Sequence, residues 1–116
     1  MDARLIIQVL VNLINNAIKY TPENSNISLN ARRVEDKILI EVQDDGNGVL
    51  HPDQLFEMFY TENNRGGDTR RGMGLGLSLC KSIIQSHGGT IWVENVTPHG
   101  ACFKFVLDAV EVKLYE

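Results

Sequence analysis

The chain has 116 residues, two cysteines and a formal net charge of −4. That length supports one hydrophobic core and is too short for two, and the acidic balance argues against nucleic-acid binding. No apolar run approaches the roughly 18 residues of a membrane span, and neither a signal peptide nor an internal repeat is visible, which predicts one soluble domain over 1–116, excised from a longer protein.

The first segment, MDARLIIQVLVNLINNAIKYTP, carries Leu5, Ile6, Val9, Leu10, Leu13, Ile14 and Ala17 at helical period, with Asp2 placed to cap the start and Pro22 to stop the helix. Asn12 and Asn16 lie one turn apart, at the azimuth of Leu5 and Val9, on the border of the buried face. Amides placed there need partners, and nearby backbone commonly supplies them. Lys19 and Tyr20 nevertheless follow Asn16 on the same side, so one helix edge gathers an oxygen ligand, a cation and an aromatic ring.

Two alternating stretches, NISLNARR and KILIEVQDD, predict an antiparallel pair turning at Glu35 and Asp36, with Ile38, Ile40 and Val42 on one face. The second runs into Asp44-Asp45-Gly46-Asn47-Gly48, where carboxylates and glycines leave the sheet together; turn chemistry alone accounts for such a pattern. HPDQLFEMF predicts a short helix with Pro52 in its first turn and Phe56 and Phe59 on one face. From about residue 60 to 73 the chain has few apolar groups and carries Arg65, Arg70 and Arg71. Its length exceeds ordinary connections, so it reads either as a solvated loop or as a lid over an anionic ligand.

The next stretch, RRGMGLGLSLCKSII, places glycines at 72, 74 and 76 directly before an apolar helical pattern. Glycine within a helix costs about 1 kcal/mol relative to alanine. Such a run therefore either turns the chain into Leu77 or leaves bare backbone where a phosphate can approach a helix N-terminus. The spacing is not the dinucleotide fingerprint, which needs G-x-G-x-x-G after a strand, and Met73 stands where a P-loop requires lysine. The helix, expected from about Gly74 to His87, ends at Gly88-Gly89. TIWVENV and ACFKFVL then predict a second hairpin, with Ala101, Phe103, Phe105 and Leu107 on one face. Cys80 in the helix and Cys102 in the last strand lack metal-ligand spacing and read as small buried hydrophobes in a reducing cytosol. The element order predicts an α+β fold, with helices packed on one face of a mixed, mainly antiparallel sheet.

These motifs, in this order, resemble the catalytic and ATP-binding domain of sensor histidine kinases, in the superfamily that also holds gyrase, Hsp90 and MutL. NLINNAIKYT resembles its N box, DDGNG its first glycine box, LFEMFY its F box and GMGLGL its second glycine box; HGGTIWVEN with GACFKF resembles its C-terminal portion. The run LCKSIIQSHGGTIWVEN is further similar to the potassium-sensing Kdp-type kinases. The resemblance covers nearly the whole chain and implies the two-layer Bergerat ATP-binding fold, with ATP and Mg²⁺ as ligands.

Carried over by position, the resemblance implies that Asn16 coordinates Mg²⁺, that Asn12 lies beside the phosphates and that Lys19 and Tyr20 flank the nucleotide. Asp44 would accept the adenine amino proton while Gly46 and Gly48 shape the pocket wall. Phe56 and Phe59 would hold the base of a lid over about 60–73. Gly72, Gly74, Leu75, Gly76 and Leu77 form the second glycine box, and Arg65, Arg70 and Arg71 are candidate phosphate contacts. Thr61 departs from the basic residue common just after the aromatic pair of the F box. In the superfamily's ATPases a glutamate four residues before the metal asparagine serves as base; Asn12 stands there and takes no proton at neutral pH.

Kinase is thus favoured over ATPase, the other alternative being a nucleotide-binding module without catalysis. The implied partners are a phosphoacceptor dimerisation domain and, indirectly, a response regulator. The implied parent is a membrane-associated homodimer with this domain on the cytoplasmic side. His51, His87 and His99 read as turn or cap residues, so the chain alone is not expected to phosphorylate itself.

Overall fold

A wide apolar stripe makes the first segment a helix with one face to bury, α1 (Ala3–Tyr20). The computed structural model describes residues 3–21, 24–57 and 75–108. Ile6, Val9, Leu13 and Ala17 are buried, and Leu5, Leu10 and Ile14 pack at the border of the core. Asn12 and Asn16 are half-buried beside this stripe, as their azimuth predicts. Asp2 and Pro22, the expected cap and stop, lie outside the described residues.

The first hairpin pairs β1 (Ile27–Val34) with β2 (Lys37–Asp44) in antiparallel register from Ile27↔Asp44 to Val34↔Lys37. Only Glu35 and Asp36 connect the strands, and Glu35 adopts a φ of 58°, the positive φ that lets so tight a connection match the right-handed twist of the strands. After α2 (Leu75–Ser86), the strands β3 (Thr90–Asn95) and β4 (Ala101–Asp108) form the second hairpin. The sheet order is β1-β2-β4-β3, and every pairing among the described strands is antiparallel. The strand β4 thus enters the middle of the sheet, between β2 and β3.

Period-two alternation decides which face the helices cover. Val42 aligns with Phe103 and Val93, and Ile40 with Phe105 and Ile91. All but Ile40 are buried, and Ile40 packs against the core they form with α1 and the Cys80, Ile83 and Ile84 side of α2. On the opposite face Asn30 donates to Glu41, Lys104 bridges Glu41 at 3.5 Å and Glu94 at 3.1 Å, and the Trp92 indole donates to Glu94 at 2.8 Å. This polar row crosses all four strands and suits a face turned to water. The Trp92 bond and Lys104 hold the Glu94 carboxyl below its usual range, and Glu94 in turn raises Lys104.

The short helix expected over HPDQLFEMF is instead a pair of successive turns, with Gln54 N–H donating to His51 and Glu57 N–H to Gln54. Leu55 and Phe56 are both buried, and Phe56 meets Phe103 edge-on with ring centroids 6.1 Å apart. A helix would splay adjacent side chains about 100° apart, and a segment this short gains too few hydrogen bonds to resist two neighbouring anchors. The α2 helix ends within a residue of expectation. Gly88 has a φ of 77°, while the N–H of Gly89 reaches the Ile84 carbonyl at 2.9 Å, the geometry of a glycine C-cap.

Phe105 is fully buried at the centre of this arrangement, whereas Leu29 on β1 is 55% exposed. Phe105→Ala is expected to cost about 3–5 kcal/mol and Leu29→Ala no more than about 0.5 kcal/mol, both read from urea unfolding midpoints. Comparable losses at the two positions would place the core elsewhere.

Candidate functional site

Three backbone segments meet around the end of β2: the end of α1, the loop that follows Asp44, and the turn joining β3 to β4. Thr21, just past α1, donates its hydroxyl to the Ala17 carbonyl at 2.7 Å. That turns its methyl toward Gly46, where an added Cβ would fall 2.7 Å from it. From the other side Gly100 approaches so closely, at a φ of 121°, that a Cβ there would collide with the Asp44 carbonyl oxygen. Glycine at 46 and 100 is therefore a packing requirement.

Asp44 is 6% exposed, the one buried charged side chain among the described residues. The β2–β4 register sets it opposite Ala101. Its Oδ1 accepts the N–H of Gly46 at 2.9 Å and that of Ala101 at 3.3 Å. Its Oδ2 has no protein partner among the described residues. A buried carboxylate held by one oxygen keeps acceptor capacity at the other. The adjacent Asp45 is structural: its carboxylate accepts the backbone N–H of Asn26 at 2.8 Å and the Asn26 amide at 3.3 Å.

The remaining sequence candidates divide by place. Asn16 is half-buried on α1 and its side chain has no partner among the described residues, whereas Lys19 in the last turn is exposed. The amide of Asn12 does not turn back to local backbone, the ordinary fate considered for it; it reaches the Cys80 thiol on α2. Gly48 lies in the loop, where a Cβ would fall 2.6 Å from the Asn95 side-chain oxygen. Gly76 is exposed near the start of α2 and a Cβ there would meet no described atom, while Leu77 packs against the core. Phe59, Arg65, Arg70, Arg71, Gly72 and Gly74, and the side chains of Tyr20 and Leu75, lie outside the described residues.

Two residues that hold this site receive no role in the sequence reading, although Asn95 ends the HGGTIWVEN run. Asn95 ends β3 and grips the backbone of Val49 twice, accepting its N–H at 2.8 Å and donating to its carbonyl at 2.9 Å. His99 approaches the carbonyls of Asp45 at 2.8 Å and Gly46 at 3.2 Å through Nδ1. For His99 the sequence signals only a turn, without saying what it bends against.

Residues 1–111 match the family described as histidine kinase-, DNA gyrase B-, and HSP90-like ATPase. The chain belongs to this family. It is 46% identical over 110 residues to the adaptive-response sensory kinase SasA of Crocosphaera subtropica, covering 91% of this chain and 28% of that protein. It is 40% identical over 107 residues to the sensor protein KdpD of Clostridium acetobutylicum, covering 90% of this chain and 12% of that protein. The chain thus spans well under a third of these curated relatives. Among solved structures it is similar to the catalytic domain of the histidine kinase ThkA, at 35% identity and a TM-score of 0.79, over 93% of this chain and 68% of that one.

For a member of this ATPase family, the donor set bears on the metal question. Among the described residues no group of three His, Cys, Asp or Glu side chains could hold a metal ion. The Asn16 amide, without a partner among the described residues, offers a hard oxygen of the kind that suits Mg²⁺ shared with water and phosphate.

Cys80 is fully buried, and burial pushes its thiol up to about 11, partly opposed by hydrogen bonds from the Asn12 amide and from its own backbone. In the unfolded chain the thiol ionises near its ordinary value of 9.0. Between those values the unfolded state loses a proton that the folded state keeps, so stability falls as pH rises. The contribution is complete below about pH 9 and is lost by about pH 11, amounting to about 2–3 kcal/mol. Cys80→Ala is expected to flatten the fall in unfolding free energy between pH 8 and pH 10.5, measured by urea titration. An unchanged slope would remove Cys80 as its source.

Proposed function

We propose that the chain binds Mg-ATP and provides the phosphoryl-transfer half of a two-component histidine kinase, passing the γ-phosphate to a histidine on a separate dimerisation domain. The observation that carries this reading is Asp44: a buried carboxylate whose Oδ1 is locked by Gly46 and Ala101 while Oδ2 has no partner among the described residues. The exocyclic amino group of adenine is a donor of the right kind. Guanine carries a carbonyl at that position and would set one acceptor against another.

Asn16 would hold the cation, which when bound neutralises phosphate charge and orients the γ-phosphate. Lys19 and the arginines at 65, 70 and 71 would supply further positive charge, with Tyr20 and Phe59 beside the nucleotide. Packing among the described atoms does not require glycine at 76, whereas a phosphate approaching the start of α2 does; Gly72, Gly74, Leu75 and Leu77 belong to the same stretch.

Asn12 favours transfer over hydrolysis. Water needs a base to take its proton, and an asparagine engaged with Cys80 is none. An imidazole nitrogen attacks with its own lone pair: the N–P bond forms as the bond from phosphorus to the bridging oxygen breaks, and that electron pair leaves with ADP. The protein's part is therefore to position the nucleotide and stabilise charge.

Relatives support both the nucleotide and the partners. The histidine kinase ShkA, 29% identical with a TM-score of 0.73, has been solved full-length in complex with AMPPNP. ThkA has been solved in complex with the response regulator protein TrrA. We place the parent of this chain in a homodimer with such a regulator downstream and this domain on the cytoplasmic side of a membrane.

Asp44→Ala should lose about 1–3 kcal/mol of ATP affinity, and the unaltered chain should bind ATP well ahead of GTP by calorimetry. Equal binding of the two nucleotides would sink the reading. With γ-labelled ATP the chain alone should take up no label, since His51, His87 and His99 sit in turns or at a helix end. Adding the parent's dimerisation domain should place acid-labile label on that domain. Asn16→Ala should abolish this transfer while the circular dichroism spectrum stays unchanged, because alanine favours the helix; persistent transfer would exclude Asn16 as the metal ligand.

A further inference from the structure

A loop containing glycines at 46 and 48 has many conformations open to it, so something outside the loop must select one. Asn26 secures the Asp45 side chain from the β1 side, and Asn95 secures Val49 at the far end. Neither touches the peptide that matters most for Asp44, the one between Asp45 and Gly46. Its N–H donates to Asp44 Oδ1 at 2.9 Å. Its carbonyl, that of Asp45, receives His99 Nδ1 at 2.8 Å, and the next carbonyl, that of Gly46, lies 3.2 Å from the same nitrogen.

Both neighbours are acceptors, so Nδ1 must carry a hydrogen. A peptide plane held at its oxygen by the imidazole is also held at its nitrogen, because the two ends cannot rotate apart. Donation to the carbonyl polarises the same peptide and strengthens the bond its N–H makes to the carboxylate. His99 itself is exposed and fills no part of the core.

We propose that His99 is the positioning residue for Asp44: by fixing the Asp45–Gly46 peptide it sets the carboxylate that reads the nucleotide base, and so governs base selectivity from the β3–β4 turn. This rests on Asp44 being the acceptor of the adenine amino group. Substituents at position 99 that cannot donate should cost selectivity for that amino group while leaving affinity for the rest of the nucleotide in place.

The test compares ATP with purine riboside triphosphate, which lacks only the 6-amino group, by calorimetry on the whole chain. The unaltered protein should prefer ATP. His99→Leu should reduce that preference by about three- to tenfold, the worth of one such bond, with binding of purine riboside triphosphate nearly unchanged. His99→Asn, whose amide nitrogen falls close to the place of Nδ1, should restore most of the preference.

A preference unaltered in His99→Leu, or both nucleotides weakened equally, would overturn the proposal, the second outcome marking a merely structural residue. Failure of His99→Asn to recover what His99→Leu loses would do the same. Asp44→Ala separates the two levels of argument. If it abolishes the preference and His99→Leu does not, only the role of His99 falls. If the unaltered protein shows no preference at all, the base reading falls and this inference with it.

Discussion

Burying a carboxylate at the end of a strand is costly unless its oxygens find donors, and the arrangement around Asp44 answers that cost with backbone. One donor, Gly46, is local, two residues along the chain. The other, Ala101, is brought in by the antiparallel register of β2 with β4 across 57 residues. Because β4 lies between β2 and β3, the β3–β4 hairpin becomes one wall of the site around Asp44. Glycine at 100 follows from the same constraint, since a side chain there would drive β4 away from the Asp44 carbonyl.

The first helix serves the core and the site at once. Its buried stripe of Ile6, Val9, Leu13 and Ala17 fastens it to the sheet and to α2. The adjoining edge is left to amides, where hydrophobic packing holds polar groups in place without using them. Asn12 and Asn16 share that edge and differ in what they meet: Asn12 finds the Cys80 thiol, whereas Asn16 finds no protein group among the described residues. That difference ties Asn12 to the packing of α1 on α2 and leaves Asn16 without such a tie among the described residues.

The turn between β3 and β4 acts as a clamp made of side chains on backbone. Asn95 and His99 reach the two ends of the 45–49 stretch, and the glycines within it bend as the clamp requires. Phe56 performs a comparable service further along, pinning its segment to Phe103 by an aromatic edge contact. The first glycine box and the F-box segment are thus restrained from elsewhere in the fold, by the β3–β4 hairpin and by Phe103.

Helix, hairpin, helix and hairpin were legible in the sequence because 3.6- and 2-residue periods are local properties of the chain, and each apolar stripe announces a face to be buried. The boxes that identify the family were legible for a related reason: glycines, asparagines and an aspartate at fixed spacing state a local chemical demand. At residues 52–57 the local pattern favours a helix, and the burial of Leu55 beside Phe56 overrides it. The Asn12–Cys80 contact, the second donor to Asp44 and the grip of His99 on the Asp45–Gly46 peptide were beyond sequence reading altogether. Each joins residues more than 50 positions apart, and only strand register and the packing of α1 on α2 decide which of them meet.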